Sequence, residues 1–227
     1  MVVTDKSELT ELWKKWWFKA YDDETLINLT ADLEEMIPEY IRLNRTYRDI
    51  PASEILEWSH LSNLRQIVEQ KLKDKWVKLI DVRHREIKDG NNDPKKAILN
   101  TFEYEASEWK EYFLTFEDEK DRTIFSLMRL RLPWANKKIL TVLPELSWCA
   151  LIREIHTFWD QLKIWEKGHG FGQHLWFWKR LIEESEKIAL ENGYSKMAVI
   201  AWVWVRWYYE KRWYNLEWEY MTKILKK

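Results

Sequence analysis

The stretch Gln173-His174-Leu175-Trp176-Phe177-Trp178-Lys179-Arg180-Leu181 runs into a helix-patterned segment, Ile182 to Asn192. Apolar or small residues recur at Leu181, Ile182, Ser185, Ile188 and Ala189, the stripe of an amphipathic helix. Glu183, Glu184 and Glu186 lie in its early turns, and Gly193 stands just past its end, where a left-handed cap is favoured. The start of such a helix presents backbone N–H groups with no partner inside it, and the helix dipole adds positive potential there. That combination holds anions, phosphates above all. As written, two indoles, Trp176 and Trp178, occupy places where backbone would have to approach a ligand, and glycine suits such places best. The chain carries no zinc-ligand spacing, no Ser-His-Asp order and no Walker loop.

The indoles are part of a wider anomaly. The chain has 17 Trp and 5 Gly in 227 residues. Ordinary usage of about 7% glycine predicts roughly 16. Trp76 follows a helix pattern at Asn63–Lys75, Trp213 follows another at Tyr208–Arg212, and Trp109 stands in a turn slot between two strand patterns. These places call for positive φ, which suits glycine and strains a bulky residue. The expectation is that most of these tryptophans stand at glycine positions. A gene whose lineage decodes UGA as glycine, translated with UGA as tryptophan, gives this pattern; Trp13 is the candidate for a true tryptophan. The formal net charge of −1 gives no global pull toward nucleic acid. One cysteine, Cys149, rules out a disulfide framework and fits a reducing, cytoplasmic setting. No apolar run has the length of a membrane span, and no membrane association is expected.

The elements that must position these residues change character along the chain. Residues 1–61 read as mainly helical, with Asp22–Ile37 stopping at Pro38 and an extended exit over Tyr40–Tyr47. Ser62 is the expected N-cap of a helix over Asn63–Lys75. From Val77 the period becomes two, and Val77–Ile87, Ala97–Glu105, Lys110–Glu117, Arg122–Leu132 and Ala150–Phe158 read as strands. Lys196–Ala201 is a short buried strand, Val205–Arg212 a short helix, and Tyr214–Ile224 one or two closing strands. The fold class is α+β with a mostly antiparallel sheet flanked by helices.

With glycine read at 176 and 178, Gln173 opens a Gln-x-x-Gly-x-Gly segment. It resembles the pyrophosphate loop of the GCN5-related N-acetyltransferases. The rest of the chain resembles the catalytic acetyltransferase subunit of Elongator and its prokaryotic relatives. Arg42-Leu-Asn-Arg45-Thr-Tyr-Arg48-Asp49-Ile50-Pro51 looks like its R-x-x-R-x-x-R-D-I-P segment, and Asp81-Val82-Arg83-His84-Arg85-Glu86 like its D-V-R-x-R-E. Arg153-Glu154-Ile155-His156 and the run from Val199 through Arg206, Tyr208 and Tyr209 to Lys223 match its later motifs. Tryptophan stands where that family has glycine at 109, 176, 178, 202, 204, 213 and 218.

The resemblance implies a GCN5-related N-acetyltransferase fold over 62–227 and, over 1–61, the trailing segment of a radical S-adenosylmethionine domain. It implies acetyl-CoA as cofactor. S-adenosylmethionine and a 4Fe-4S cluster would belong to the upstream domain, or to a separate subunit, since one cysteine cannot hold such a cluster. The family's cysteines near the D-V-R segment are absent, with Leu79 and His84 in that region, so no metal site is expected. The implied activity is modification of transfer RNA at carbon 5 of the wobble uridine.

Residue by residue, Ile155, His156, Thr157 and Phe158 would pair with the pantetheine arm, a plain core strand being the alternative. Gln173, His174, Leu175, Trp176, Phe177, Trp178 and Lys179 would surround the pyrophosphate. Tyr208 and Tyr209 are the candidates to protonate the leaving thiolate, and adjacent helical residues diverge by about 100°, so one of them serves. Glu154 is either a base or a structural carboxylate. Ser62–Asp89 has eight Lys/Arg against five Asp/Glu, whereas Phe102–Asp121 has two against eight. Arg42, Arg45, Arg48, Lys71, Lys73, Arg83 and Arg85 form the expected RNA-contacting set. A free-standing N-acetyltransferase acting on a small amine or protein lysine, and a non-catalytic RNA-binding fragment, are the competing readings; an in-frame upstream radical S-adenosylmethionine segment would favour the transfer-RNA-modifying reading over both.

Overall fold

The computed structural model describes residues 2–5, 7–45, 50–59, 61, 63–88, 92–107, 109–133, 143, 146, 148–158 and 170–226, with backbone alone at 52 and 170–175. It divides into two compact units, Met1–His84 and Arg85–Lys227. That division falls later than the expected boundary at 61/62, because the helix after Ser62 packs within the first unit.

In the first unit a two-residue strand β1 (Val3–Thr4) precedes α1 (Glu8–Lys14) and α2 (Asp23–Glu35). The Asp22 carboxylate accepts from the Thr25 amide at 2.8 Å and starts α2. A short β2 (Ile55–Glu57) returns to pair antiparallel with β1, a pairing that the helical reading of 1–61 did not foresee. Next, α3 (Leu64–Asp74) places Leu64, Val68 and Leu72 four residues apart on one face. They bury against Leu26 and Ala31 of α2. Each such fully buried Leu or Val contributes about 1.5–3 kcal/mol. Asn63 holds the N-cap position of α3; Ser62 lies outside the described residues.

The segment Val77–Ile87 is not a strand. It contains the single-turn helix α4 (Val82–Arg85). Asp81 decides this: its carboxylate accepts from the Arg83 amide at 2.9 Å and its carbonyl from the His84 amide at 3.2 Å. Within the described part of Tyr40–Tyr47, Tyr40 lies in a turn and 41–45 in irregular backbone.

The second unit is a seven-stranded sheet. Its strands are β3 (Ile98–Ala106), β4 (Trp109–Glu117), β5 (Ile124–Leu132), β6 (Cys149–Thr157), β7 (Lys196–Ile200), β8 (Asn215–Glu217) and β9 (Tyr220–Ile224). The spatial order is β3-β4-β5-β6-β7-β9-β8. All neighbours are antiparallel except β6 and β7, which run parallel on either side of the long helix α5 (Gly170–Glu191). A parallel pair needs such a crossover. Leu181, Ile182, Ser185, Ile188 and Ala189 of α5 are all buried, as their spacing predicts. They pack with Leu114, Phe116, Leu130, Ile152 and Val199 of the sheet, and a short α6 (Arg206–Glu210) adds Tyr208 and Tyr209. Among the described residues no helix is long and apolar enough to cross a membrane.

The backbone sorts the tryptophans. Trp76 and Trp213, expected at helix ends, have φ of 60° and 66°, and Trp16, Trp148 and Trp218 are also left-handed. Trp109 is not: it opens β4 opposite Ala106, and the positive φ of that hairpin falls on Ser107. A left-handed L-residue costs about 1–2 kcal/mol, so five sum to about 5–10 kcal/mol, the scale of a domain's whole stability.

Candidate cofactor cleft

Strand β6 has two neighbours but follows only one of them to its end. Its register with β7 runs from Cys149–Lys196 to Ile152–Val199 and stops. Its register with β5 continues to Thr157–Ser126, past a bulge at Arg129/Leu130. Over Arg153–Thr157, therefore, β6 diverges from β7 while still held by β5. The Ser126 hydroxyl reinforces that end, donating to the His156 carbonyl at 2.9 Å and lying 2.9 Å from the Thr157 hydroxyl.

Three candidate residues meet beside this divergence. The Trp178 indole N–H donates to Thr157 Oγ1 at 3.1 Å. The same indole meets the Tyr208 ring edge-on, with centroids 5.5 Å apart. Arg212 lies with its guanidinium carbon 3.6 Å from the Tyr208 ring centre. Burial raises the Tyr208 phenol to about 12, so it stays a proton donor across the physiological range. Tyr209 is also shifted upward by burial, but its ring packs on Tyr214, 5.6 Å away, in the core. Tyr214 in turn donates to Glu186, which Lys223 holds at 2.7 Å. Both phenols are buried in the core, and Tyr208 is the one whose ring meets Trp178, the indole that bonds Thr157.

The other expected cofactor residues divide. Ile155 packs into the core cluster, and His156 is exposed with its ring against Phe158, 4.5 Å away. Trp176 is half exposed and leans on Phe116 at 5.4 Å, while Phe177 is fully buried. Lys179 is exposed and reaches Glu183 at 3.6 Å. Gln173, His174 and Leu175 are described by backbone alone, within α5. The expected loop at 173–178 is helical here. Tryptophan tolerates helical dihedrals better than glycine, so α5 begins before the Gln-x-x-Gly-x-Gly equivalent, and the amides of 176–179 lie inside the helix.

Glu154 does not join Tyr208. Its carboxylate pairs with Arg129 at 2.9 Å, and since Ile155 enters the core with Tyr208, strand alternation sends Glu154 to the other face. There it joins a network that the sequence did not reveal, centred on Glu111. Glu111 is 1% exposed and bonded by the Tyr104 hydroxyl at 2.7 Å, by Arg153 at 2.8 Å and by Arg131. Burial opposes its charge, but Tyr104 and Arg131 outweigh that and hold the carboxyl below its usual range. Cross-strand pairing places Tyr104, Glu111 and Arg131 on one face, and the bulge at Arg129/Leu130, where Arg153 is the unpaired residue of β6, lets Arg153 reach the same side as Glu154. Pairing Glu111 with Arg131 across neighbouring strands is a signal that could have found the network.

The basic set is equally mixed. Arg45 is exposed, and Arg42 is half-buried and donates to Asn44 at 2.7 Å. Lys73 is exposed, and Lys71 bonds Asn28. Arg83 is half-buried. Arg85 is not available to RNA: it is 5% exposed and paired with the buried Glu117 at 2.8 Å. Arg48 lies outside the described residues.

Antiparallel strands leading to a parallel pair, with the long helix between them and a divergence at the end of β6, are the α+β arrangement of the GCN5-related N-acetyltransferase fold. Residues 1–74 match the family model described as the Radical_SAM C-terminal domain. The chain is 32% identical to a tRNA uridine(34) acetyltransferase of Dehalococcoides mccartyi, over 99% of this chain and 49% of that protein. It is 34% identical to Elongator complex protein 3 of Dictyostelium discoideum, over 96% and 39% respectively. The solved structure of archaeal Methanocaldococcus infernus Elp3 lacking its N-terminus superposes with a TM-score of 0.84 at 31% identity, covering 99% of this chain and 54% of that one. The chain is thus related over nearly its whole length to the C-terminal acetyltransferase region of the catalytic Elongator subunit, and it spans half or less of the length of these curated relatives.

Proposed function

We propose that this chain is the acetyl-CoA-binding, acyl-transferring part of an enzyme that modifies the wobble uridine of transfer RNA at carbon 5. The observation that carries the reading is the divergence of β6 from β7 over Arg153–Thr157 with the Tyr208 phenol beside it. A strand that leaves its neighbour offers backbone donors and acceptors to an extended amide-bearing chain. Acetyl-CoA has such a chain in its pantetheine arm, and its thioester supplies an activated acetyl group. Ile155 to Phe158 would hold the arm, the start of α5 would face the pyrophosphate, and Tyr208 would keep a proton ready for the departing thiolate. Tyr209 and Glu154 are engaged elsewhere, Tyr209 with its ring on Tyr214 and Glu154 with Arg129.

The same reading assigns Arg42, Arg45, Arg48, Lys71, Lys73 and Arg83 to transfer-RNA phosphates. It places S-adenosylmethionine and the iron–sulfur cluster in a radical S-adenosylmethionine segment, joined to this chain or supplied by a separate cytoplasmic subunit. The first unit, Met1–His84, would be the side of the chain that meets that segment. Hydrogen–deuterium exchange tests the cleft: acetyl-CoA should slow exchange of the 153–158 amides by at least tenfold while leaving β3 unchanged. Unaltered exchange at 153–158 with saturating acetyl-CoA would refute it.

A further inference from the structure

Among the described residues, four helices close with the same pair of hydrogen bonds. After α5, the Gly193 amide donates to the Leu190 carbonyl at 3.0 Å and the Tyr194 amide to that of Ala189 at 2.9 Å. After α1, Trp16 donates to Trp13 and Trp17 to Leu12, both at 2.9 Å. After α3, Trp76 donates to Lys73 at 3.0 Å and Val77 to Leu72 at 2.9 Å. After α6, Trp213 donates to Glu210 at 3.0 Å and Tyr214 to Tyr209 at 3.2 Å. This is the Schellman closure, whose pivotal residue must be left-handed and is normally glycine. The pivots have φ of 85° at Gly193 and 62°, 60° and 66° at Trp16, Trp76 and Trp213. One position in four carries the residue that the geometry calls for.

The β8–β9 hairpin repeats the pattern. Glu217 pairs with Tyr220, leaving Trp218 and Glu219 as a two-residue loop. Positive φ at Trp218, 56°, and not at Glu219 is the type II′ turn, which has glycine at its first central position. Trp148, at 57°, leads into β6. Of the seven left-handed residues other than glycine among those described, five are therefore tryptophan, a residue that makes up 17 of 227 positions. Among the described residues no hydrogen bond or ring contact holds these indoles. Trp76 is 95% exposed and Trp16 91%, and Trp148, Trp213 and Trp218 also stand in solvent. A residue selected for its ring would use the ring; these positions use only the backbone, in a conformation that penalises any Cβ.

We propose that Trp16, Trp76, Trp148, Trp213 and Trp218 are glycine in the protein as its own cell makes it, encoded by UGA codons that the cell's ribosomes read as glycine. The scarcity of glycine, 5 residues against 17 tryptophans, is the composition that such decoding leaves when UGA is translated as tryptophan. The inference rests on backbone geometry and is independent of the cofactor reading, so either can fail without the other.

Two measurements test it. Peptide mass spectrometry of the protein from its native cells, with the codons read from the gene, should find UGA at the five positions and glycine masses in the corresponding peptides. UGG codons, or tryptophan masses in the native peptides, overturn it. In recombinant protein, Trp76→Gly and Trp213→Gly should each raise Tm by about 2–4 °C, because glycine relieves the left-handed strain. Variants that melt no higher than the tryptophan form would overturn the geometric argument, whatever the codons. Trp13→Gly, within the last turn of α1 at a helical position, is the control and should lower Tm.

Discussion

Replacing Trp176 and Trp178 together by glycine should convert the start of α5 from helix into an anion-binding loop and raise acetyl-CoA affinity. The indole of Trp178 bridges Thr157 and Tyr208, so it fills the space beside the diverging edge of β6. Its removal clears that space. Two glycines also cost the helix about 1 kcal/mol in propensity, enough to favour a later start and release amides now spent inside α5. A hydrogen bond to a charged group contributes about 1.5–3 kcal/mol net. One such bond gained between a freed amide and a phosphate is thus a gain of about 10- to 100-fold in affinity. The loss of two half-buried indoles opposes folding by about 1–3 kcal/mol, so the variant should melt a few degrees lower while binding more tightly. Calorimetric titration of acetyl-CoA into both proteins, at a temperature where both are folded, reads the difference. Trp178→Ala separates the causes, since it clears the indole without granting glycine's dihedrals. Equal affinities in the parent and the double-glycine variant would refute the reasoning, and the pyrophosphate role of 173–179 would go with it.

Tyr208→Phe should leave acetyl-CoA affinity within about threefold and lower the rate of acetyl transfer by about 10²-fold or more, as loss of a positioned proton donor does; an unchanged single-turnover rate would remove Tyr208 from the chemistry. Glu111→Gln should destabilise the second unit by about 3–5 kcal/mol, because Arg131 and Arg153 lose a buried partner; urea denaturation measures it. The parent protein should lose this stability in acid. Glu111 and Glu117 both titrate below their usual 4.5 in the folded state, so their contribution is complete above 4.5 and disappears as pH falls through the folded values, a loss that Glu111→Gln should reduce. His84 works in the opposite sense: its hydrogen bond to Asp81, with Glu69 3.2 Å away, raises it above 6.5. Its stabilisation of the first unit is therefore complete below 6.5 and lost as pH rises through the folded value, and His84→Gln should flatten that slope in thermal melts. Alanine at Arg45, Arg48, Lys71 and Arg83 together should weaken transfer-RNA binding similarly across sequences and make its salt dependence shallower, in a filter-binding assay; unchanged binding would take RNA off this surface.

The strands of the second unit were legible because they are long apolar and β-branched or aromatic runs with partial alternation, bounded by turn residues, which no local cap competes with. The buried stripe of α5 was legible from its period of 3.6. Val77–Ile87 was misread because alternation over a few residues is weak, and one aspartate, Asp81, can bond two successive amides and close a helical turn instead. The β1–β2 pair was missed because two- and three-residue strands leave no period to detect. The unit boundary moved because α3 carries its apolar face toward α2, and a face read from spacing does not say which neighbour it will meet.

The site was less legible than the fold because its chemistry depends on register and on backbone state more than on residue type. Adjacent tyrosines look equivalent in sequence; both are buried in the same core, but the turn of α6 sets the Tyr209 ring on Tyr214 and the Tyr208 ring on Trp178, whose indole bonds Thr157. Arg85 looks like Arg83 in a basic run, yet one is committed to a buried glutamate. The tryptophans carry the point furthest. Where a position is governed by packing, as at Phe177, the side chain decides and the sequence reports it. Where a position is governed by φ, as at Trp76, Trp213 and Trp218, the fold keeps the left-handed backbone and pushes the indole into solvent. At 176 and 178 no neighbouring turn imposes a positive φ, so the residue type is free to choose between helix and loop, and with tryptophan it chooses helix. The same substitution is therefore recorded as strain in one set of positions and as a change of local structure in the other, and only the second changes the shape of the cofactor cleft.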